Sequence, residues 1–198
     1  MRAFIGIGLP PECRKAIAEA VFPMLAKRPP VSWTPERNLH ITLKFLGDIH
    51  PGRVGEIVSL LGRTGACISP FEFTVGEAGG FPTLRAPRVL WVGIREPLEL
   101  VGKLQENMEN VLSGAGFPGE ERPFHPHITV GRVRDRLPPG WGEEYAKALS
   151  GKKFGVVRVR SFMLYESRLA PGGAVHHILG DVPLSREPAN MEREESMK

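Results

Sequence analysis

A short pattern occurs twice in the chain, and it is the feature that most constrains the fold. The first copy is NLHITLKFLGD, from Asn38, and the second is PHITVGRVRD, from Pro126. Each contains His-Ile-Thr followed by an aliphatic residue, and His40 and His127 lie 127 − 40 = 87 positions apart. Two copies of one pattern predict a chain built from two similar halves.

The same offset of 87 aligns further segments without a gap. FIGIGLP, from Phe4, aligns with WVGIREP, from Trp91. Each is an apolar run of strand length that is ended by a proline, so each is predicted to be a strand. The segments that follow, PECRKAIAEAVFPMLAK and PLELVGKLQENMENVLS, place apolar residues three and four apart, which predicts helices. Pro23 lies inside the first of these patterns, so we expect that helix to kink or end early.

The remaining runs complete a mixed fold. FEFTVGEAGGF, VVRVRSFMLYES and AVHHILGDV are typical of strands, and Pro51–Leu61 and Trp141–Leu149 of short helices. We predict an α+β class with two lobes, in which two mainly antiparallel sheets are related by a pseudo-twofold axis, helices lie outside and a cleft lies between. We expect residues 1–184 to form this one bilobal domain and the polar segment 185–198 to be a C-terminal tail.

Strand alternation separates the reactive residues of the repeated motif from the packing residues. Residues i and i+2 of a strand share a face, so His40 and Thr42 point together while Ile41 and Leu43 face the core. His127 and Thr129 correspond to them in the second half, and Lys44 is expected to continue the polar face of the first strand.

Two histidines and two threonines across a cleft suit phosphodiester chemistry. Histidine titrates near neutrality, so one ring can accept a proton from water while the other donates one to a leaving oxygen. The hydroxyls can hold phosphate oxygens. Arg132 follows Gly131, and a bulge at this glycine would turn the guanidinium inward as a phosphate ligand.

Other polar residues allow alternatives. His125 and His127 could bind a metal, but no carboxylate cluster or CxxC pair accompanies them, so we expect no metal. His176 and His177 point to opposite faces if they lie on a strand, and neither receives a role. A basic set could form an RNA track or a solvated face: Arg85, Arg88, Lys152, Lys153, Arg158 and Arg160.

Composition limits the partners and the compartment. The net charge of +4 is compatible with an anionic partner such as RNA, although it does not require one. Cys13 and Cys67 are expected to be buried and reduced. The N-terminal apolar run is too short for a signal peptide, and no run approaches the ~18 apolar residues of a membrane span, so we expect a cytoplasmic protein with no membrane partner. We also expect a monomer.

The sequence resembles a known family. The paired motifs, within WTPERNLHITLKFLGD and RPFHPHITVGRV, are similar to those of the two-histidine (2H) phosphoesterases. Among these, the resemblance is to the LigT-like RNA 2',3'-cyclic phosphodiesterases, also called 2'-5' RNA ligases, and it extends from RAFIGIGLP to HHILGDVPL.

The resemblance implies a function and a role for each site residue. The implied reaction is hydrolysis of a 2',3'-cyclic phosphate at an RNA end, such as a tRNA fragment, to a 2'-phosphate, without a metal or any other cofactor. It implies His40 as the proton donor and His127 as the proton acceptor, with Thr42 and Thr129 holding the phosphate. The alternatives are 2'-5' ligation of tRNA halves, hydrolysis of a small cyclic nucleotide, and an RNA-end binding module without turnover. Phe45, Phe124, Trp33 and Tyr165 could stack on a base or pack in the core.

Overall fold

Nine strands and four helices make up the described part of the chain, in a computed structural model that describes residues 1–120, 122–171 and 173–185. The strands are β1 Arg2–Gly8, β2 Val31–Trp33, β3 His40–Asp48, β4 Phe71–Phe81, β5 Val89–Arg95, β6 His127–Val133, β7 Lys153–Val159, β8 Ser161–Ala170 and β9 Gly173–Pro183. The helices are α1 Pro11–Ala26, α2 Val54–Gly65, α3 Glu99–Ser113 and α4 Trp141–Leu149. Single 3-10 turns lie at Glu36–Asn38 and Pro51–Arg53.

All strand pairs are antiparallel, which confirms the α+β class. The strand order is β7-β4-β5-β6-β3-β1-β8-β9, and β2 pairs with β6 outside this path. We call β3, β1, β8 and β9 lobe one, and β6, β5, β4, β7 and β2 lobe two. One residue pair, Ile41 with Ile128, joins β3 to β6, so the two expected sheets are connected at their meeting edge.

The helices cross between the lobes and share one core. Helix α1 follows a strand of lobe one but packs on β7 of lobe two, and α3 follows a strand of lobe two but packs on β3 of lobe one. Apolar side chains from both lobes and all four helices form a single buried cluster. Because each lobe is covered in part by the helix of the other, the helices fix how the two histidine strands face each other.

The repeat offset holds for the histidine strands but slips in the strands beside them. Helices α2 and α4 begin 141 − 54 = 87 residues apart, as β3 and β6 do. In lobe one Gly8 lies opposite His40, whereas in lobe two Gly93 lies opposite His127, and 93 − 8 = 85. Gly6 therefore does not correspond to Gly93 in space, and the gap-free alignment of the two first strands is wrong by two residues.

Three further expectations differ from the structure, and one strand was not expected. Helix α1 continues past Pro23 because this residue lies on the exposed side, where the carbonyl that loses its hydrogen bond can face water. The run from Val156 is two strands, β7 and β8, separated at Arg160. Cys13 is buried as expected, but Cys67 is exposed. No sequence pattern predicted the short strand β2.

Backbone hydrogen bonds hold the last two described residues against the fold. The Leu184 amide donates to the Arg160 carbonyl and the Ser185 amide to the Gly65 carbonyl. The rest of the segment expected as a tail, 186–198, lies outside the described residues, so the boundary after 184 stays a prediction.

Candidate active site

Four polar side chains surround the residue pair that joins the lobes. In an antiparallel pair the neighbours of Ile41 and Ile128 lie opposite each other, which places His40 beside Thr129 and Thr42 beside His127. Alternation turns all four away from the two isoleucines, which are fully buried. The histidines and threonines are half-buried, so they form one accessible polar cluster.

His40 is held in one orientation by hydrogen bonds and ring packing. Its Nδ1 lies 2.7 Å from the Asn38 carbonyl oxygen, and since a carbonyl only accepts, Nδ1 carries the hydrogen. In the neutral ring Nε2 is then the acceptor, and the Thr42 hydroxyl donates to it at 3.0 Å. One face of the ring stacks on Phe4, with centroids 4.7 Å apart, and the edge-on ring of His176 lies 5.1 Å away.

His127 repeats the same arrangement in lobe two. Its Nδ1 donates to the carbonyl of His125 at 2.7 Å, so its Nε2 also becomes the acceptor of the neutral ring. Phe81 meets the ring edge-on at 5.0 Å, and Trp91 lies 6.4 Å away. The residue two positions before each histidine therefore fixes its tautomer through a backbone carbonyl.

Burial disfavours the protonated, charged form of both imidazoles. It is the main cause that lowers the pKa of His40 from 6.5 to about 4, against the hydrogen bond to the Asn38 carbonyl, which raises it. The positive charges of His176 and His127 lower this pKa further. The pKa of His127 is also lowered, first by burial and then by the charges of His125 and Arg132, against its carbonyl hydrogen bond.

A bulge in each histidine strand resets the alternation after the motif. The pairing shifts between Ile5 opposite Lys44 and Gly6 opposite Thr42, which leaves Leu43 as the extra residue of β3. Lys44 therefore turns to the core side, and the expectation that it continues the polar face is wrong. Lys44 is only 2% exposed, and its amine pairs with Glu109 of α3 at 2.7 Å.

The equivalent bulge in β6 is at Val130, which is 130 − 43 = 87 positions after Leu43. Leu90 lies opposite Gly131 and Trp91 opposite Thr129, so Val130 is the extra residue. This bulge places Arg132 on the same face as His127, and it lies one residue before the glycine expected to carry it. The role of Arg132 as a phosphate ligand stays a prediction. Gly131 is instead needed for packing, since a Cβ there would lie 2.6 Å from Val31.

The aromatic residues considered for stacking separate into two groups. Trp33 packs on Trp141 at 6.4 Å, and Phe124 packs against the core. Tyr165 stacks on Phe4 at 4.9 Å, beside the His40 ring. Phe45 is 60% exposed and lies opposite Phe4 in the sheet.

Sequence reasoning missed residues that contact His40. His176 lies opposite Ser167 and faces this side, whereas His177 lies opposite Glu166 on the other face, which only the strand pairing could decide. Asn38 acts through its backbone carbonyl, and its side chain amide donates to the Ala174 carbonyl of β9 at 2.6 Å. The equivalent position in the repeat, 38 + 87, is a histidine, so the alignment gave no signal for it.

Ion pairing engages part of the basic set considered as an RNA track. Of the basic residues considered as an RNA track, Arg158 pairs with Glu72 at 2.7 Å. Within 1–120, 122–171 and 173–185, His, Cys, Asp and Glu side chains do not gather in groups of three or more that could hold a metal ion. Among the same residues, each helix is too short or too polar to cross a membrane.

Comparison with known proteins gives concordant matches. The family model described as the 2'-5' RNA ligase superfamily matches residues 9–169. A protein of Thermotoga maritima named RNA 2',3'-cyclic phosphodiesterase is 34% identical over 181 residues, covering 90% of this chain and 93% of the relative. The crystal structure of TT0787 of Thermus thermophilus superposes with a TM-score of 0.74 at 30% identity, covering 95% of this chain and 100% of that one. The structure of E. coli LigT complexed with 3'-AMP gives a TM-score of 0.71 at 29% identity, with coverages of 93% and 98%.

Proposed function

The chain belongs to the 2'-5' RNA ligase superfamily, and we propose that it hydrolyses 2',3'-cyclic phosphate ends of RNA to 2'-phosphomonoesters with a pair of histidines and without a metal. Relatives at 34% and 33% identity over most of the chain carry the name of this activity. The observation that carries the proposal is the cluster around the Ile41–Ile128 pair. It offers two imidazole Nε2 atoms and two hydroxyls to one small group.

In the proposed step the two histidines act on opposite sides of phosphorus. Nε2 of His127 takes a proton from water while the water oxygen forms its bond to phosphorus. The bond to the 3'-oxygen breaks, and Nε2 of His40 gives that oxygen its proton. Burial, followed by the positive charges of His125 and Arg132, lowers the pKa of His127 and so favours the neutral ring that a base requires.

The acid role of His40 requires the substrate. With its pKa near 4, His40 is almost entirely neutral at pH 7 in the free protein and has no proton to give. A cyclic phosphodiester carries one negative charge, and an opposite charge within a few ångströms favours the protonated ring. We therefore infer that phosphate binding brings the catalytic proton to His40, with Thr42, Thr129 and Arg132 holding the phosphate oxygens.

The test is turnover of an oligonucleotide that ends in a 2',3'-cyclic phosphate, in EDTA, with the product identified by phosphorus NMR. A 2'-phosphate product, lost in His40→Ala and in His127→Ala, is the expected result. A 3'-phosphate product, or activity that EDTA abolishes, would refute the proposed step. Tight binding that survives His40→Ala with no turnover in the wild type would instead identify an RNA-end binding module.

Ligation is a second candidate, favoured by the description of the matching family. In ligation a 5'-hydroxyl attacks the same cyclic phosphate in place of water and forms a 2'-5' bond. Adding an oligonucleotide with a 5'-hydroxyl to the same assay measures it. A joined product that rises with this oligonucleotide would show that ligation competes with hydrolysis, and hydrolysis alone would exclude it under these conditions.

A further inference from the structure

Asn38 is a buried polar residue whose backbone and side chain contact different parts of the site. It is 6% exposed, although Glu36 and Arg37, which precede it in the same 3-10 turn, are exposed. A buried amide needs hydrogen-bond partners, because an unpaired polar group costs free energy in the interior. The backbone carbonyl of Asn38 accepts from Nδ1 of His40, and its side-chain amide donates to the Ala174 carbonyl. One residue therefore connects the acid of the proposed reaction to strand β9.

The side-chain hydrogen bond closes the curl of lobe one. In the sheet order β3 and β9 are separated by β1 and β8, so these two strands do not pair. Next to His40 they approach each other again, where the Asn38 amide reaches the Ala174 carbonyl at 2.6 Å. His176, two positions further along β9, meets the His40 ring edge-on at 5.1 Å. The Asn38 side chain is therefore placed to hold β9 beside the acid.

The same residue supplies the peptide group that binds His40. The Asn38 carbonyl and the Leu39 amide belong to one planar peptide, and this amide donates to the Glu36 carbonyl at 3.1 Å. A 3-10 turn of three residues holds its geometry weakly by itself, because its hydrogen bonds are poorly aligned. The hydrogen bond to Ala174 adds a restraint from a strand 136 positions away in the chain. Both restraints act on the carbonyl that lies 2.7 Å from Nδ1 of His40.

The Asn38 carbonyl affects the charge of His40 as well as its orientation. Its hydrogen bond from Nδ1 stabilises the protonated ring, and it raises the pKa of His40 against the effect of burial. The charged groups that face the ring act in the other direction, since His176 of β9 and His127 of β6 both lower this pKa. The acid must hold a proton on Nε2 until the leaving oxygen takes it. A displaced carbonyl would therefore weaken the acid and leave the base unchanged.

Lobe two holds its histidine in a different way. The equivalent of Asn38 is His125, since 38 + 87 = 125, and the His125 carbonyl accepts from Nδ1 of His127 at 2.7 Å. The side chain of His125 is exposed. Within the ranges that the structure describes, it contacts the rings of Trp91 and Phe81 and makes no hydrogen bond to a distant strand. The restraint by a side-chain amide thus distinguishes the acid from the base.

From these observations we propose that Asn38 is a positioning residue for the acid of the proposed reaction, on which this inference rests. Its side-chain amide, bound to β9, holds the carbonyl that keeps the hydrogen of His40 on Nδ1. Nε2 is then free to receive the catalytic proton and to deliver it. Asn38 does not touch the substrate, and it takes no part in the activation of water by His127. Removal of its side chain slows the reaction only where the leaving oxygen needs a proton.

The test measures kcat and KM of Asn38→Ala on two substrates, a 2',3'-cyclic phosphate and its analogue with sulfur in place of the 3'-oxygen. A leaving thiolate needs no proton, so only the oxygen substrate should be affected. At pH 8 we expect kcat for the oxygen substrate to fall about tenfold, the lower end for a hydrogen bond to a charged group. KM for this substrate, and kcat for the sulfur substrate, should each change less than about twofold.

The pH dependence of kcat gives a second readout. On the oxygen substrate kcat falls as the pH rises through the pKa of His40 in the complex, because the acid must be protonated. Loss of the held carbonyl lowers that pKa, so the alkaline limb of Asn38→Ala should move to lower pH by about one pH unit. The acidic limb, which His127 sets, should stay in place. Asn38→Ser keeps a shorter donor and should lie between Asn38→Ala and the wild type.

The matched control is Gln105→Ala, which also removes a buried side-chain amide. Gln105 is 8% exposed and donates to the Glu109 carboxylate on α3 at 3.0 Å. Its loss should leave the alkaline limb and the ratio of the two substrates unchanged. Equal losses on both substrates with an unmoved alkaline limb in Asn38→Ala would overturn the proposal, and so would a wild-type rate in that variant.

A titration of His40 by nitrogen NMR, with sulfate bound, separates these outcomes from failure of the proposed function. The wild type should show the Nδ1–H tautomer, whereas Asn38→Ala should show a mixture of tautomers and a lower pKa of His40. This difference in a protein without turnover would refute hydrolysis and support the role of Asn38. Turnover with identical titrations in the two proteins would refute that role alone.

Discussion

The burial of His40 predicts a specific loss of stability in acid. The unfolded chain protonates this imidazole near 6.5, but the folded protein does so only near 4, because burial disfavours the charged ring. As the pH falls from 7 to 4, the unfolded state binds the proton first and gains free energy relative to the folded state. The difference of 2.5 in pKa corresponds to about 3 kcal/mol, most of it lost by pH 4.

Urea unfolding of the wild type and of His40→Gln between pH 7.5 and pH 4 measures how much His40 contributes to the pH dependence of stability. Carboxylates contribute their own pH dependence in both proteins, so the difference between the two curves isolates His40. We expect His40→Gln to lose about 3 kcal/mol less than the wild type over this range, with His177→Gln as a control for loss of an exposed imidazole. Parallel curves for wild type and His40→Gln would show that burial does not keep this ring neutral.

Three further predictions concern the site and its support. Lys44→Met leaves the Glu109 carboxylate without its buried cation and should lower the free energy of unfolding in urea by about 3–5 kcal/mol. Adding Glu109→Leu should restore most of this stability, and a double variant as unstable as Lys44→Met would contradict the pairing. Gly6→Ala places a Cβ 2.6 Å from the Ile41 carbonyl oxygen and should lower both turnover and stability. As the control, Gly102→Ala adds a Cβ in open space on α3 and should stabilise the protein by up to about 1 kcal/mol. An active and stable Gly6→Ala variant would refute the close approach. Sulfate should bind more tightly as the pH falls from 8 to 5, because the anion raises the pKa of His40 and the complex takes up a proton. The affinity should rise by up to about tenfold per pH unit for each proton taken up. An affinity that calorimetry finds independent of pH would argue against proton uptake in the site.

Pattern and alternation predicted much of the fold and the composition of the site. The period of the apolar residues separated strands from helices, and the repeat identified His40 and His127 as partners. What they could not predict depends on long-range pairing. The Leu43 bulge moves Lys44 to the core and Phe45 to the site face, and nothing local in LKFLG distinguishes a bulged strand from a regular one.

The contact between His176 and His40 also depends on long-range strand pairing. The two residues are 136 positions apart, since 176 − 40 = 136, and they meet only because β9 pairs with β8 and its end is tied to Asn38. The two-residue slip between β1 and β5 was also invisible to alignment, because both strands are apolar runs with glycines in similar places. Sequence periodicity reports which face a residue takes along a regular strand, whereas register is decided by the neighbouring strand.

The central claim is that His40 and His127 have different roles, and a substrate with a good leaving group tests it most directly. In a 2',3'-cyclic phosphate whose 3'-oxygen is replaced by sulfur, the leaving thiolate needs no proton. We predict that His40→Ala hydrolyses this substrate at a rate within about tenfold of the wild type, while His127→Ala stays inactive because the water still lacks its base. Rescue of His127→Ala instead, or equal loss in both variants, would contradict the assignment of acid and base.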